Sequence, residues 1–255
     1  MDEKIFNRVE KKYLIDKEQQ RRLIEIIETH LKKSKYFESE VYNVYFDTDN
    51  YDLIIQSIDQ PLFKEKLRAR SYGGFDKVFL EIKTKILGEA YRNGFLVDSD
   101  GDKNNNVGFK RRVLVTHKDF NELVKGKTTT DVLAKREIEE KTDFQIAKEI
   151  DYLISHFNLR PKILLYYKRK SYENGDDLRI TFDSGLKYRN TKLKFSKNAK
   201  DKFLFSNEKN IIMEIKAGTA MPLWLTKVLS AEHIYPEQFS KIGKIYEQLR
   251  KEHNV

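Results

Sequence analysis

Apolar and polar positions alternate with period two through segment after segment of this chain, and the polar positions are mostly ionic. Successive side chains of a strand point to opposite faces, so this pattern predicts strands with one apolar and one charged face. The clearest case is residues 64–85, a predicted hairpin turning at Gly73-Gly74, where a positive φ costs little. Lys64, Lys66, Arg68 and Arg70 share one face of its first strand, and Glu81, Lys83 and Lys85 share one face of its second. Leu67, Ala69, Leu80 and Ile82 take the opposite faces. Like charges opposed across a sheet repel, so this face is either an outer surface kept in water or a bed for a polyanion.

The same reading predicts strands over 5–15, 40–47, 108–116, 162–172, 178–184, 186–195 and 210–216. Their polar faces group Arg8, Glu10 and Lys12; Lys110 and Arg112; Tyr167, Arg169 and Ser171; Arg179, Thr181 and Asp183; and Glu214 with Lys216. Helical spacing predicts a helix over 17–33, opened by Asp16 as N-cap with Gln19 completing a capping box. Further helices are predicted over 51–58, 117–126, 131–158, 221–230 and 236–252. Strands dominate and read as antiparallel, which is an α+β pattern. A sandwich would turn the ionic faces outward; a closed barrel would turn them inward and pack helices over its apolar outside.

Composition narrows the function classes. The 255 residues carry a net charge of +9, which favours an anionic partner: nucleic acid, nucleotide, phosphate polymer or acidic membrane. Cysteine is absent, which excludes disulfides, thiolate metal sites and a cysteine nucleophile. The five histidines show no ligand spacing, and Gly73-Gly74 lacks the Gly-Lys-Ser/Thr element of a phosphate loop. Asp98-Ser-Asp-Gly-Asp matches a calcium loop poorly, because Lys103 and Phe109 stand where a glycine and a bidentate glutamate belong. No apolar run reaches membrane-spanning length and no signal-peptide core opens the chain, so the expectation is a cytoplasmic protein with residues 1–255 forming a single domain.

An ordered set of short motifs resembles the VTC domain of polyphosphate polymerases, within the triphosphate tunnel metalloenzyme (CYTH-like) superfamily. The set is Arg8-x-Glu10-x-Lys12-Tyr13, Val44-Tyr-Phe-Asp-Thr48, Lys66-x-Arg68-x-Arg70-x-Tyr72-Gly73, Phe79-Leu-Glu81-Ile-Lys83, Tyr167-x-Arg169 with Tyr172, Arg179-Ile-Thr-x-Asp183, Met213-Glu214-Ile-Lys216 and Phe239-Ser240-Lys241. The resemblance implies an antiparallel closed barrel with helices outside and a basic tunnel that binds ATP and polyphosphate with Mn²⁺ or Mg²⁺. It implies phosphate contacts by Lys12, Lys66, Arg68, Arg70, Lys83, Lys110, Tyr167, Arg169, Arg179, Ser240 and Lys241, with Lys241, Arg68, Arg70 and Arg169 at the transfer centre. Physical chemistry agrees: phosphoryl transfer needs positioning and charge neutralisation, which arginine forks and lysine point charges supply. A carboxylate among such cations is out of place unless it holds a metal. Glu214 is the leading ligand; Glu10 and Glu81 come second and serve more naturally to orient arginines.

Tunnel relatives that hydrolyse triphosphates often begin Glu-x-Glu-x-Lys, and here the first glutamate is Arg8. That favours polyphosphate synthesis over a triphosphatase or polyphosphatase, with a non-catalytic polyphosphate- or nucleotide-binding module as a third reading. DNA or RNA is not expected as a partner, because aromatic residues do not recur beside the cations as a stacking platform requires. A partner protein is left open. Arg68→Ala and Arg70→Ala are expected to leave the fold intact.

Overall fold

The computed structural model describes residues 9–59, 63–73, 76–86, 107–135, 141–175, 178–218, 220–238 and 240–253. The elements run β1 (Val9–Ile15), α1 (Lys17–His30), β2 (Lys32–Asp47), α2 (Asp52–Ile58), β3 (Phe63–Tyr72), β4 (Val78–Ile86) and β5 (Val107–Val115). They continue as α3 (His117–Val124), α4 (Thr129–Leu133), α5 (Lys141–His156), β6 (Arg160–Glu173), β7 (Leu178–Arg189), β8 (Lys202–Phe203), β9 (Ile211–Ala217), α6 (Leu223–Ala231) and α7 (Lys241–His253). The fold is α+β, with a large sheet of order β1-β9-β7-β6-β2-β3-β4-β5 and β8 attached to β7. The expected barrel closure is not made by hydrogen bonds: among the described residues β1 and β5 end this order and do not pair with each other.

The chain divides into two compact units. Among the described residues, the first comprises Tyr42–Leu165 and Arg189–Lys197. Its β3, β4 and β5 form an antiparallel meander whose register sets Leu67 opposite Ile82, Ala69 opposite Leu80 and Leu80 opposite Val113. Those side chains are buried, whereas the alternate positions carry the charges. The second unit holds the described residues through Val41, then Tyr166–Tyr188 and Asn198 onward. Here β1 pairs β9, and β9 pairs β7, both antiparallel. Tyr13, Ile15, Ile180, Phe182, Met213 and Ile215 on one side of these strands join Leu23, Ile27, Leu225 and Leu229 of α1 and α6 in an apolar core.

Local chemistry fixes the helix starts. Asp16 with Gln19, Thr116 with Asp119, and Thr128 with Asp131 all form reciprocal capping boxes, satisfying amides that have no intrahelical partner. Several boundaries differ from the sequence expectation. The first helix stops at His30 because Leu31 is already extended and β2 begins at Lys32. The segment 32–39 is too polar to announce a strand, and pairing with other strands overrides its weak propensity. The expected helix over 131–158 is two, α4 and α5. The separate strand expected over 186–195 is the end of β7, which runs through Gly185 at φ +61 and stops at Arg189.

Candidate functional site

The first unit carries a cationic face. Register places Lys66 opposite Lys83, and Lys83 opposite Lys110, so three lysines form one row across β3, β4 and β5. The adjacent rows are Lys64 opposite Lys85, and Arg68–Glu81–Arg112. Glu81 is 1% exposed. One of its oxygens takes Arg68 Nε at 2.7 Å and Nη2 at 2.6 Å, and the other takes Lys110 Nζ at 2.6 Å. Arg70 Nε donates to Asn43 Oδ1 at 2.9 Å, and the Arg112 guanidinium lies 4.8 Å above the Phe79 ring. Glu81 is thus a strut that aims Arg68 and Lys110, and its oxygens are occupied by protein cations. Burial raises its pKa, but Arg68, Arg70 and Lys110 outweigh that and hold it at about 2. Burial also lowers the pKa of Lys110, against the pull of Glu81.

That depression predicts an acid-sensitive fold. Glu81 contributes fully above its ordinary value of 4.5, and the contribution is lost as pH falls toward about 2. The amount at neutral pH is about 3 kcal/mol. Urea midpoints are expected to fall between pH 6 and pH 3, with a shallower fall in Glu81→Gln. Equal pH slopes in the two proteins would contradict the assignment.

The second unit carries a mixed cluster. Rows across β1, β9 and β7 are Glu10–Lys216–Arg179 and Lys12–Glu214–Thr181. Arg169 of β6 grips Asp183 of β7 bidentately, Nε to Oδ1 at 2.6 Å and Nη2 to Oδ2 at 2.7 Å. Lys241, the first residue of α7, places Nζ 2.7 Å from Asp183 Oδ2 and 2.6 Å from Glu214 Oε1. Arg169 Nη2 lies 3.7 Å from Glu214 Oε2, closing a ring of two cations and two carboxylates. The buried Tyr167 ring lies under both cations, 5.4 Å from Arg169 and 5.2 Å from Lys241. Asp183 is 0% exposed and the Lys241 side chain 11%. Burial opposes each charge, yet Lys241 is pushed well above its ordinary range by Asp183 and Glu214, and Glu214 well below its own by Lys241, Arg169 and Lys12. At the edge of this face Glu10 meets Lys216 at 3.2 Å and Lys12 at 3.7 Å, and Arg179 Nε donates to Ser171 Oγ at 3.1 Å. Ser240 Oγ accepts from the Gly243 amide at 3.3 Å, as a helix cap does.

Lys66, Arg68, Arg70, Glu81, Lys83 and Lys110 therefore gather in one unit, and Glu10, Lys12, Tyr167, Arg169, Arg179, Glu214, Ser240 and Lys241 in the other. Arg8, Gly74, Phe239 and the calcium-like stretch 98–106 lie outside the described residues. Asp183, Asn43 and Arg112 were not among the sequence candidates. Asp183 shares strand parity with Arg179 and Thr181, and that parity was the available signal.

The carboxylates also decide what kind of metal fits. Among the described residues, no group of three or more His, Asp or Glu side chains could form a protein cage. Glu81 and Asp183 are committed to protein cations. Arg169 Nη2 stands 3.7 Å from Glu214 Oε2, too far for a hydrogen bond, which leaves that oxygen capacity for the Mg²⁺ type of binding, one or two carboxylates completed by substrate phosphates and water.

Two solved structures align with most of this chain. A candidate adenylate cyclase from Bacillus halodurans aligns with a TM-score of 0.50 at 13% identity, over 92% of this chain and 96% of its own. A candidate adenylyl cyclase from Hippeastrum, described as having a dominant triphosphatase activity, aligns at 0.49 and 14%, over 94% and 96%. No described helix is long and apolar enough to cross a membrane. The VTC domain profile matches residues 7–250, nearly the whole sequence, and the chain belongs to the VTC domain family.

Proposed function

We propose that this protein transfers the terminal phosphoryl group of ATP to a polyphosphate chain, in the cytoplasm, with residues 1–255 working as one functional domain. The observation that carries the reading is the row Lys66–Lys83–Lys110 beside Arg68 and Arg70. Lys110 is held there by Glu81 at 2.6 Å, and a row of cations across three strands is a bed that suits a polyanion. Family membership points the same way, to chemistry on triphosphate or polyphosphate.

In this mechanism a terminal oxygen of the acceptor chain attacks the γ-phosphorus of ATP, the β–γ bridging bond breaks, and ADP leaves. Arg68 and Arg70 fork onto phosphate oxygens, with Lys66, Lys83 and Lys110 as point charges along the chain. Lys12, Arg169, Arg179 and Lys241 neutralise charge on the transferring and leaving groups, with Tyr167 and Ser240 as hydrogen-bond donors. Asp183 holds Arg169 and Lys241 in place before substrate arrives. A divalent Mn²⁺ or Mg²⁺ carried by Glu214, with Glu10 as the next carboxylate, would add charge neutralisation at phosphate oxygens. Holding the acceptor in line favours chain growth over attack by water.

The test is incubation with ATP, Mn²⁺ and a short polyphosphate primer, with the products resolved by size. ADP together with lengthened polyphosphate is expected. ADP with free phosphate and no chain growth over a range of primers would make the protein a triphosphatase instead. ATP left unconsumed with every divalent metal would leave a binding module or an enzyme that needs a partner protein.

A further inference from the structure

We infer that Thr181 is a phosphate-contacting residue whose hydroxyl donates a hydrogen bond to an oxygen of the bound tri- or polyphosphate. The inference rests on the function proposed above and adds a contact that the charge pattern does not suggest. Thr181 sits in the body of β7 and is 5% exposed. Its neighbours Ile180 and Phe182 enter the apolar core, so alternation puts Thr181 on the ionic face, directly opposite Glu214. Its Oγ1 is fully buried and, among the described residues, has no hydrogen-bond partner.

The groups around it are already engaged. Glu214 Oε1 holds Lys241, and Asp183 holds Arg169 and Lys241. Arg179 donates to Ser171. An unpaired buried hydroxyl forfeits the hydrogen bond it had in water. Packing does not explain the residue, because valine has the same branched shape and suits a strand equally well. A hydroxyl can donate or accept, whereas phosphate oxygens only accept, so in a complex the threonine is the donor. Such a bond to a charged acceptor is stronger than one between neutral groups.

Stability and binding should then move in opposite directions on one substitution. Thr181→Val removes the orphan, and the thermal midpoint of the ligand-free protein is expected to rise by about 2–4 °C. Titration calorimetry with inorganic tripolyphosphate is expected to show binding about tenfold weaker, or more. Thr181→Ser, which keeps the hydroxyl, should bind within about threefold of wild type. Thr181→Ala repeats the binding measurement should valine disturb the strand. Wild-type affinity in both Thr181→Val and Thr181→Ala overturns the inference and leaves the proposed function standing. A fall in the thermal midpoint of Thr181→Val also overturns it, because the hydroxyl would then be paired within the free protein. Absence of tripolyphosphate binding by wild type overturns the proposed function, and this inference with it.

Discussion

Lys241→Ala is expected to lower the unfolding free energy by about 3–5 kcal/mol and to abolish turnover. The ammonium bridges Asp183 and Glu214 at 2.7 and 2.6 Å in a site that leaves its side chain 11% exposed. Alanine removes that charge and leaves two buried carboxylates sharing Arg169. Breaking a buried ion pair from one side is far more damaging than its net worth suggests, because the remaining charge has lost its solvent as well as its partner. The deficit should depend on pH with a definite sign. Lys241 is the strongest of the cations that hold Glu214 below its ordinary carboxylate range against burial, so without it less of the variant's stability depends on an ionised Glu214. The gap to wild type should therefore narrow as pH is lowered from 6 to 4, through the ordinary carboxylate range, where wild type loses that contribution. Urea denaturation at both pH values measures this, provided the slope against denaturant stays constant. A loss below about 1 kcal/mol, the range of surface pairs, would mean that Lys241 is solvated rather than held.

The second large effect separates two arginines that sequence alone makes equivalent. Arg70 donates to Asn43, so Arg70→Ala should destabilise by about 1–2 kcal/mol, chiefly by leaving the buried amide oxygen unpaired. Its affinity for a non-hydrolysable ATP analogue should fall by about 10- to 100-fold, the worth of one charged hydrogen-bonding group. Arg68→Ala should bind as poorly but also lose about 3–5 kcal/mol of stability, because Arg68 supplies two of the contacts to buried Glu81. The expectation that both replacements spare the fold thus holds better for Arg70 than for Arg68. Equal stability losses in the two variants would contradict the Glu81 strut; wild-type affinity in folded Arg70→Ala would remove that residue from the phosphate contacts.

Strand alternation makes part of this candidate site legible in the sequence itself. It assigned Lys64, Lys66, Arg68 and Arg70 to one face, and the hairpin is local enough that register follows from the turn and the alternation. Lys110 belongs to the same row through a third strand that follows in sequence. The second cluster was harder to read. Asp183, Glu214 and Lys241 lie on β7, β9 and α7, and their meeting depends on long-range pairing that a single sequence does not encode locally. Asp183 is therefore legible as the end of the Arg179-Ile-Thr-x-Asp183 motif, but not as the partner of Arg169 and Lys241. Long strands hid for a related reason: residues 32–39 carry few apolar side chains, and only pairing with other strands makes them extended. The three capping boxes behaved oppositely, since each lies within four consecutive residues.

The row of opposed lysines gives the protein an ionic-strength signature that runs in two directions. Added salt screens like charges opposed across the strands, such as Lys64 and Lys85, and equally screens the pair that holds Lys110 to Glu81. If the function proposed above holds, the same screening weakens attraction between the row Lys66–Lys83–Lys110 and a bound phosphate chain. Under the function proposed above, a concentrated buffer therefore masks polyanion binding, and a dilute one is where that binding should be strongest.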